Sequence, residues 1–152
     1  MTKRRDLKLL SLDNIREELQ RLTAGPVETT GTWTYYQILT HCRYPFIATW
    51  NGPLAEGHSP EAAKLEMLAK LVERGFMRPD LPIILPESAV EGLIGDAREA
   101  ESLLREAMDQ FESYEGPISL HPFFGKLNKA EWTKFLVVHT AHHLGYVKLK
   151  ES

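Results

Sequence analysis

Apolar residues recur every three or four positions through several long segments of this chain, and this spacing restricts the fold more than any other feature. Leu12, Ile15, Leu19 and Leu22 follow the pattern, and Ser11 precedes them as a candidate helix cap. No segment alternates convincingly between apolar and polar residues; LKLLSL and LPIILP are the only strand-like fragments. The chain is therefore predicted to be all-α.

Start and stop signals place four further helices. Pro45 lies inside the second one and predicts a kink or an early stop there. Gly75 is expected to end the third, because glycine often follows the last residue of a helix. Asn128 and Glu131 form a capping-box pair at the start of the last. The predicted helices run over residues 32–50, from Ser59-Pro60 to Gly75, from Ala89 or Gly95 to Ser113, and from Asn128 through Lys150.

Two long connections separate these helices. Residues 76–88 hold three prolines and several apolar residues, which predicts a loop packed over the bundle. The second loop is EGPISLHPFFGKL, residues 115–127. A chain of 152 residues is expected to form one domain, here residues 1–152. The predicted architecture is a bundle of four main helices, with the N-terminal helix as a candidate fifth.

Charge and composition limit the partners of the chain. Its net charge is −3 and no large basic patch is evident, so neither a nucleic acid nor an anionic membrane is an expected partner. No apolar run reaches the roughly 18 residues of a membrane span. The basic start MTKRRDLKLL lacks an apolar signal core and is interpreted as a solvated tail. A single cysteine allows no intrachain disulfide, which suits a reducing cytoplasm.

The segment VVHTAHHLGYV, residues 137–147, carries three histidines within five positions of an apolar helix. His139 and His143 are four residues apart, so they lie one turn apart and differ by only about 40° around the helix. This spacing allows two imidazoles to bind one metal ion, as in the H-E-x-x-H motif. His142 is the competing partner of His139; otherwise it is predicted to pack or hydrogen-bond beside the pair. It lies about 100° from His143, so one straight helix cannot direct all three rings to one ion.

The second helix offers a third ligand. Trp33, Gln37 and His41 are spaced four residues apart and are predicted to share one face. His41 with two histidines of the last helix would leave one side of an ion open to water or substrate. Gln37 is predicted to hydrogen-bond a metal-bound water or the distal nitrogen of a ligand histidine. The alternative is that these histidines are core residues bonded to backbone carbonyls, without a metal.

The other candidates have simpler interpretations. Cys42 falls on an apolar stripe of the second helix and is predicted to pack in the core. His121 precedes a proline in the second loop and is interpreted as structural, or as reaching the rim of the histidine site. His58 is expected to be exposed. Trp33 and Tyr146 are predicted to be core or pocket wall.

Two blocks of sequence resemble a known family. WTYYQILTH, residues 33–41, resembles the second helix of the DinB-like (YfiT-like) superfamily. HPFFGKLNKAEWTKFLVVHTAHHLGY, residues 121–146, is similar to one uncharacterised branch of it. The resemblance implies a four-helix bundle, often dimeric, with a three-histidine site for a divalent metal such as zinc or nickel. Carried over by position, the implied ligands are His41, His139 and His143.

The resemblance also implies a class of reaction. Characterised relatives include transferases that use the low-molecular-weight thiols bacillithiol, mycothiol or glutathione. We therefore expect a divalent-metal-dependent enzyme that activates a small thiol for attack on an electrophile. The alternative is a non-catalytic helical bundle for metal binding or protein interaction. Two departures from the branch, Tyr146-Val147 where relatives often have Gln-Phe, and Pro45 after the ligand turn, put the pocket chemistry in question.

Overall fold

The computed structural model describes residues 4–75, 77 and 89–150, and the protein is mostly helical over these residues, as predicted. Apart from Met77, the loop predicted over residues 76–88 lies outside them. The elements are α1 (Leu12–Leu22), β1 (Val27–Thr29), α2 (Tyr35–Asn51), α3 (Ala62–Arg74), α4 (Ala97–Ser113), α5 (Lys129–Leu144) and β2 (Val147–Leu149). Over the described ranges, each helix is too short or too polar to cross a membrane.

Side-chain caps define where α1 and α5 begin. Ser11 Oγ accepts a hydrogen bond from the Asn14 N–H at 3.1 Å, which satisfies a donor that the helix itself cannot pair. At α5, the Asn128 side chain accepts from the Glu131 N–H, and the Glu131 carboxylate accepts from the Asn128 N–H, both at 2.8 Å. The predicted capping box is therefore confirmed.

The start of α3 differs from expectation, and the early stop considered at Pro45 does not occur. Ser59 does not cap α3; the helix begins at Ala62 after Glu61, which makes no side-chain cap. The end at Gly75 is confirmed, because Gly75 has φ of 84°, a left-handed conformation that glycine adopts without steric cost. Pro45 does not stop α2, which continues to Asn51. Proline lacks an N–H, so the His41 carbonyl receives no helical hydrogen bond from it.

The end of the chain is a strand where a helix was predicted. α5 ends at Leu144, and β2 pairs with β1 antiparallel, with Val27 opposite Leu149 and Thr29 opposite Val147. The strand-like fragment LKLLSL takes no part in this sheet, and LPIILP lies outside the described residues. The all-α prediction is thus correct for the main elements and wrong for this two-stranded addition.

The helices share one apolar core. α2 packs most extensively on α4 and also contacts α5, while α1 lies against α4 and α5, and α3 against α5. Cys42 is fully buried in this core, as predicted, and burial raises the pKa of its thiol. The second loop closes the core, since Trp132 of α5 donates its indole N–H to the Ser119 carbonyl at 3.0 Å. Packing of α2 on α5 brings the predicted site residues together.

Candidate metal centre

Three histidines from two helices converge in the core. His41 lies on α2, and His139 and His143 lie one turn apart on α5. One ring nitrogen from each lies within 4.8 Å of the other two, an arrangement that could bind a metal ion. His41 Nε2 and His139 Nε2 are 3.1 Å apart. These are the three residues that the sequence and the family resemblance identified.

The spacing of the nitrogens suits a transition metal. Zn–N bonds of about 2.0–2.1 Å in tetrahedral geometry place two ligand nitrogens about 3.3 Å apart. The 3.1 Å between His41 and His139 is close to this value. The other nitrogen pairs lie within 4.8 Å, so they would have to move closer together to bind one ion. The 3.1 Å contact also permits an N–H···N hydrogen bond, so the geometry allows both a metal site and a metal-free pair.

The electrostatic environment favours the neutral form of the two cluster histidines on α5. Burial is the largest cause that lowers the pKa of His139 well below its ordinary value, and the neighbouring imidazoles, first that of His41, add to it. Burial likewise lowers the pKa of His143 well below its ordinary value, with His139 as the next cause. A neutral imidazole has a lone pair available for a metal, which a protonated ring lacks. His139 Nδ1 is buried and has no hydrogen-bond partner among the residues that the structure describes, so no backbone carbonyl there accounts for the position of its ring.

Aromatic rings enclose the three histidines. The Trp33 indole stacks on His143 with centroids 5.6 Å apart and an interplanar angle of 15°, and lies 4.9 Å from His41. Phe135 stacks on His139 at 5.5 Å. Trp33 precedes the cap of α2, Thr34, so the helical face predicted for it does not exist. Its ring still reaches the site, because the extended residue before the helix directs it back over His41.

Gln37 and His142 both make hydrogen bonds to groups outside the three-histidine cluster. Gln37 Oε1 accepts from the Thr34 N–H in a capping box, and its Nε2 donates to the Val90 and Leu93 carbonyls at 3.1 and 3.3 Å. No hydrogen bond joins it to the histidines within the described residues. His142 is not part of the cluster; its Nδ1 accepts from the Met77 N–H at 3.2 Å.

His121 is a structural residue and does not reach the site. Its Nδ1 accepts from the Phe123 and Phe124 N–H groups, both at 3.0 Å, which stabilises the turn. Its ring lies 4.3 Å from Phe135, which separates it from His139. Burial lowers the pKa of His121 to about 3. The structural interpretation therefore accounts for all its contacts. His58, by contrast, is exposed, as predicted.

A cleft of about 380 Å³ opens beside the cluster. Tyr146 forms part of its wall, as the sequence predicted, and packs edge-on against His142 with centroids 5.5 Å apart. The residues around the cleft are Gly31, Thr32, Trp33, Ile38, His142, His143 and Tyr146. Gly31 and Thr32 were not identified from the sequence, because they lie in a bend that no periodic pattern marks.

The N-terminal segment was also misinterpreted. Arg4 Nε donates to the His142 carbonyl at 2.9 Å, and Arg5 donates from its backbone N–H to the Gly145 carbonyl and from its side chain to the Leu144 carbonyl. Arg5 also pairs with the buried carboxylate of Glu18 at 2.8 Å. Carbonyls at a helix C-terminus lack intrahelical donors and carry partial negative charge, so they attract arginines. Residues 4 and 5 therefore form a docked strap at the end of α5, rather than a solvated tail.

Comparison with known proteins gives a family without a function. A family described as a protein of unknown function, DUF1569, matches residues 1–150. No curated protein and no solved structure matches the chain. What the site can do must therefore be argued from its own residues.

Proposed function

Because this chain belongs to the DUF1569 family, whose description gives no function, we propose a function from the site itself. His41, His139 and His143 bind one divalent metal ion, zinc or nickel. The protein is then a metal-dependent transferase that joins a low-molecular-weight thiol to an electrophile. The observation that carries this proposal is the convergence of three ring nitrogens from α2 and α5 within 4.8 Å.

The composition of the cluster favours an open site. Among the described residues, no aspartate, glutamate or cysteine joins the three histidines in the cluster. Structural zinc sites usually have four protein ligands, whereas catalytic sites have three and leave one position to water or substrate. Three imidazoles beside a 380 Å³ cleft match the second arrangement. The cleft gives a small molecule access to the side of the cluster where His143 lies.

The protein's own residues would position and shelter the reaction. A divalent ion bound here would supply Lewis acidity and lower the pKa of a coordinated thiol. The three imidazoles would bind it, while Trp33 packs against His41 and His143 and Phe135 packs against His139. Cys42 is excluded as the nucleophile because it is fully buried and burial raises its thiol pKa. The reacting sulfur would therefore come from a co-substrate.

The choice of a thiol rests on the resemblance of residues 33–41 and 121–146 to the DinB-like superfamily. The same resemblance supports a DinB-like four-helix arrangement and a homodimer, both of which we include in the proposal. Light scattering on the purified protein tests the dimer independently of the chemistry.

Turnover measurements test the function. Protein loaded with zinc or nickel would be assayed with a panel of small thiols and aromatic or conjugated electrophiles. We expect thiol conjugation by the wild type that a chelator abolishes and that His143→Ala lacks. His58→Ala is the matched control, because His58 is exposed and outside the cluster. Stoichiometric metal without turnover for any pair would instead support the alternative, a non-catalytic metal-binding bundle.

A further inference from the structure

The cleft beside the cluster has walls suited to a flat organic molecule. Trp33 and Tyr146 provide aromatic surface, and Ile38 adds an aliphatic face. Its 380 Å³ falls in the range of small-molecule pockets, which are mostly apolar with a few placed polar groups. Gly31 adjoins the Tyr146 ring, where an added Cβ would lie 3.5 Å from Cδ1. Planar rings pack on such surfaces with a gain beyond that of area burial alone.

His142 supplies one fixed hydrogen-bond donor to this cleft. Its Nδ1 accepts the Met77 N–H, so Nδ1 carries the lone pair and the proton of the neutral ring is on Nε2. His142 lines the cleft, and among the described residues its Nε2 has no hydrogen-bond partner. Because a backbone N–H holds the ring in one tautomer, Nε2 is a fixed donor and favours a ligand with a hydrogen-bond acceptor.

In the metal-free protein, the side chains around the cleft favour a neutral ligand. No carboxylate, lysine or arginine is among the described residues that line it. Arg4 lies nearby, but each of its three guanidinium nitrogens donates to a backbone carbonyl. Burying a charge without a partner is costly, so an ionic ligand would lose affinity here.

We propose that this cleft binds an uncharged, planar, carbonyl-bearing molecule, whose oxygen accepts a hydrogen bond from His142 Nε2 while its ring packs against Trp33 and Tyr146. In the proposed function this molecule is the electrophile, and only that role rests on the proposed function. The binding itself needs no metal.

Ligand titrations monitored by calorimetry and by saturation-transfer NMR test the inference. The probes are acetylnaphthalene, ethylnaphthalene, which has a similar shape without the acceptor, and naphthoate, which is anionic. Wild type should bind acetylnaphthalene about three- to tenfold more tightly than ethylnaphthalene. This affinity ratio corresponds to the net free energy of one ordinary hydrogen bond. In chelator-treated protein, naphthoate should bind more weakly than acetylnaphthalene. Each titration is run with chelator-treated protein and repeated with zinc added.

Two variants distinguish the donor from a packing effect. His142→Phe keeps an aromatic ring and removes the donor, so the preference for acetylnaphthalene should disappear. His142→Gln keeps an N–H near the position of Nε2 and should retain a preference. Equal affinities in wild type, a preference that persists in His142→Phe, or tighter binding of naphthoate to the chelator-treated protein would overturn the inference. Failure to bind metal, with the probe preference intact, would overturn the proposed function and leave this inference standing.

Discussion

Acid should destabilise this protein through His121, because the folded state keeps its imidazole neutral. Its ring is 3% exposed, and its Nδ1 accepts two backbone N–H groups, so protonation would remove both bonds. The pKa is about 3 in the folded protein, against about 6.5 in an unfolded chain. Between these values the unfolded state binds a proton that the folded state does not. Stability is therefore unaffected above about pH 6.5 and falls as the pH decreases toward 3.

The size of this effect follows from the shift. Each pH unit below the unfolded pKa costs about 1.4 kcal/mol, so the 1.5 units from about pH 6.5 to about pH 5 cost roughly 2 kcal/mol. The buried His139 and His143 also contribute, so the total loss in wild type should be larger. A comparison of variants isolates the part due to His121.

Urea denaturation at about pH 8 and about pH 5, with a chelator present, measures the effect. In His121→Asn the side-chain oxygen can accept from the same backbone N–H groups but does not titrate. The fall in unfolding free energy between the two pH values should be about 2 kcal/mol smaller than in wild type. His58→Asn, at an exposed position, should keep the wild-type difference. The same pH dependence in His121→Asn and wild type would refute the reasoning.

Three further predictions concern the scaffold. Asn128→Ala should lower the unfolding free energy by about 1 kcal/mol, measured in urea, since it removes the α5 cap; no loss would contradict the capping box. Glu18→Gln should cost about 1–3 kcal/mol because it weakens the pairs with both Arg5 and Arg21, whereas its neighbour Glu17→Gln should change stability little; equal effects would argue against a stabilising role of these pairs. Cys42 should react with a thiol reagent only after unfolding; rapid labelling of the native protein would contradict its burial.

The sequence predicted most helix boundaries because their signals are local. Ser11 and the Asn128–Glu131 pair bond to groups three residues away, and Gly75 acts through its own backbone conformation. The pairing of β1 with β2 was not predicted, since it joins Val27 to Leu149 through strands of three residues each. Strands that short have no measurable period, and the apolar spacing of β2 continued that of α5.

The candidate site was likewise predictable where its signals are local and not where they depend on distant segments. The four-residue spacing of His139 and His143 is a property of one helix, so the sequence alone indicated that these two could act together. That His142 bonds to Met77 depends on a segment distant in sequence, and spacing left it as an alternative ligand. The docking of Arg4 and Arg5 was missed because their partners are helix-end carbonyls, which no side-chain pattern reveals.

Metal content of tag-free protein, determined by mass spectrometry after incubation with zinc or nickel and removal of free ion, tests the central claim most directly. We expect about one ion per chain in wild type and in His58→Ala, and loss of the ion in His41→Ala, His139→Ala and His143→Ala. An ion-free wild type, or a His143→Ala variant that retains a full ion, would contradict the three-histidine site.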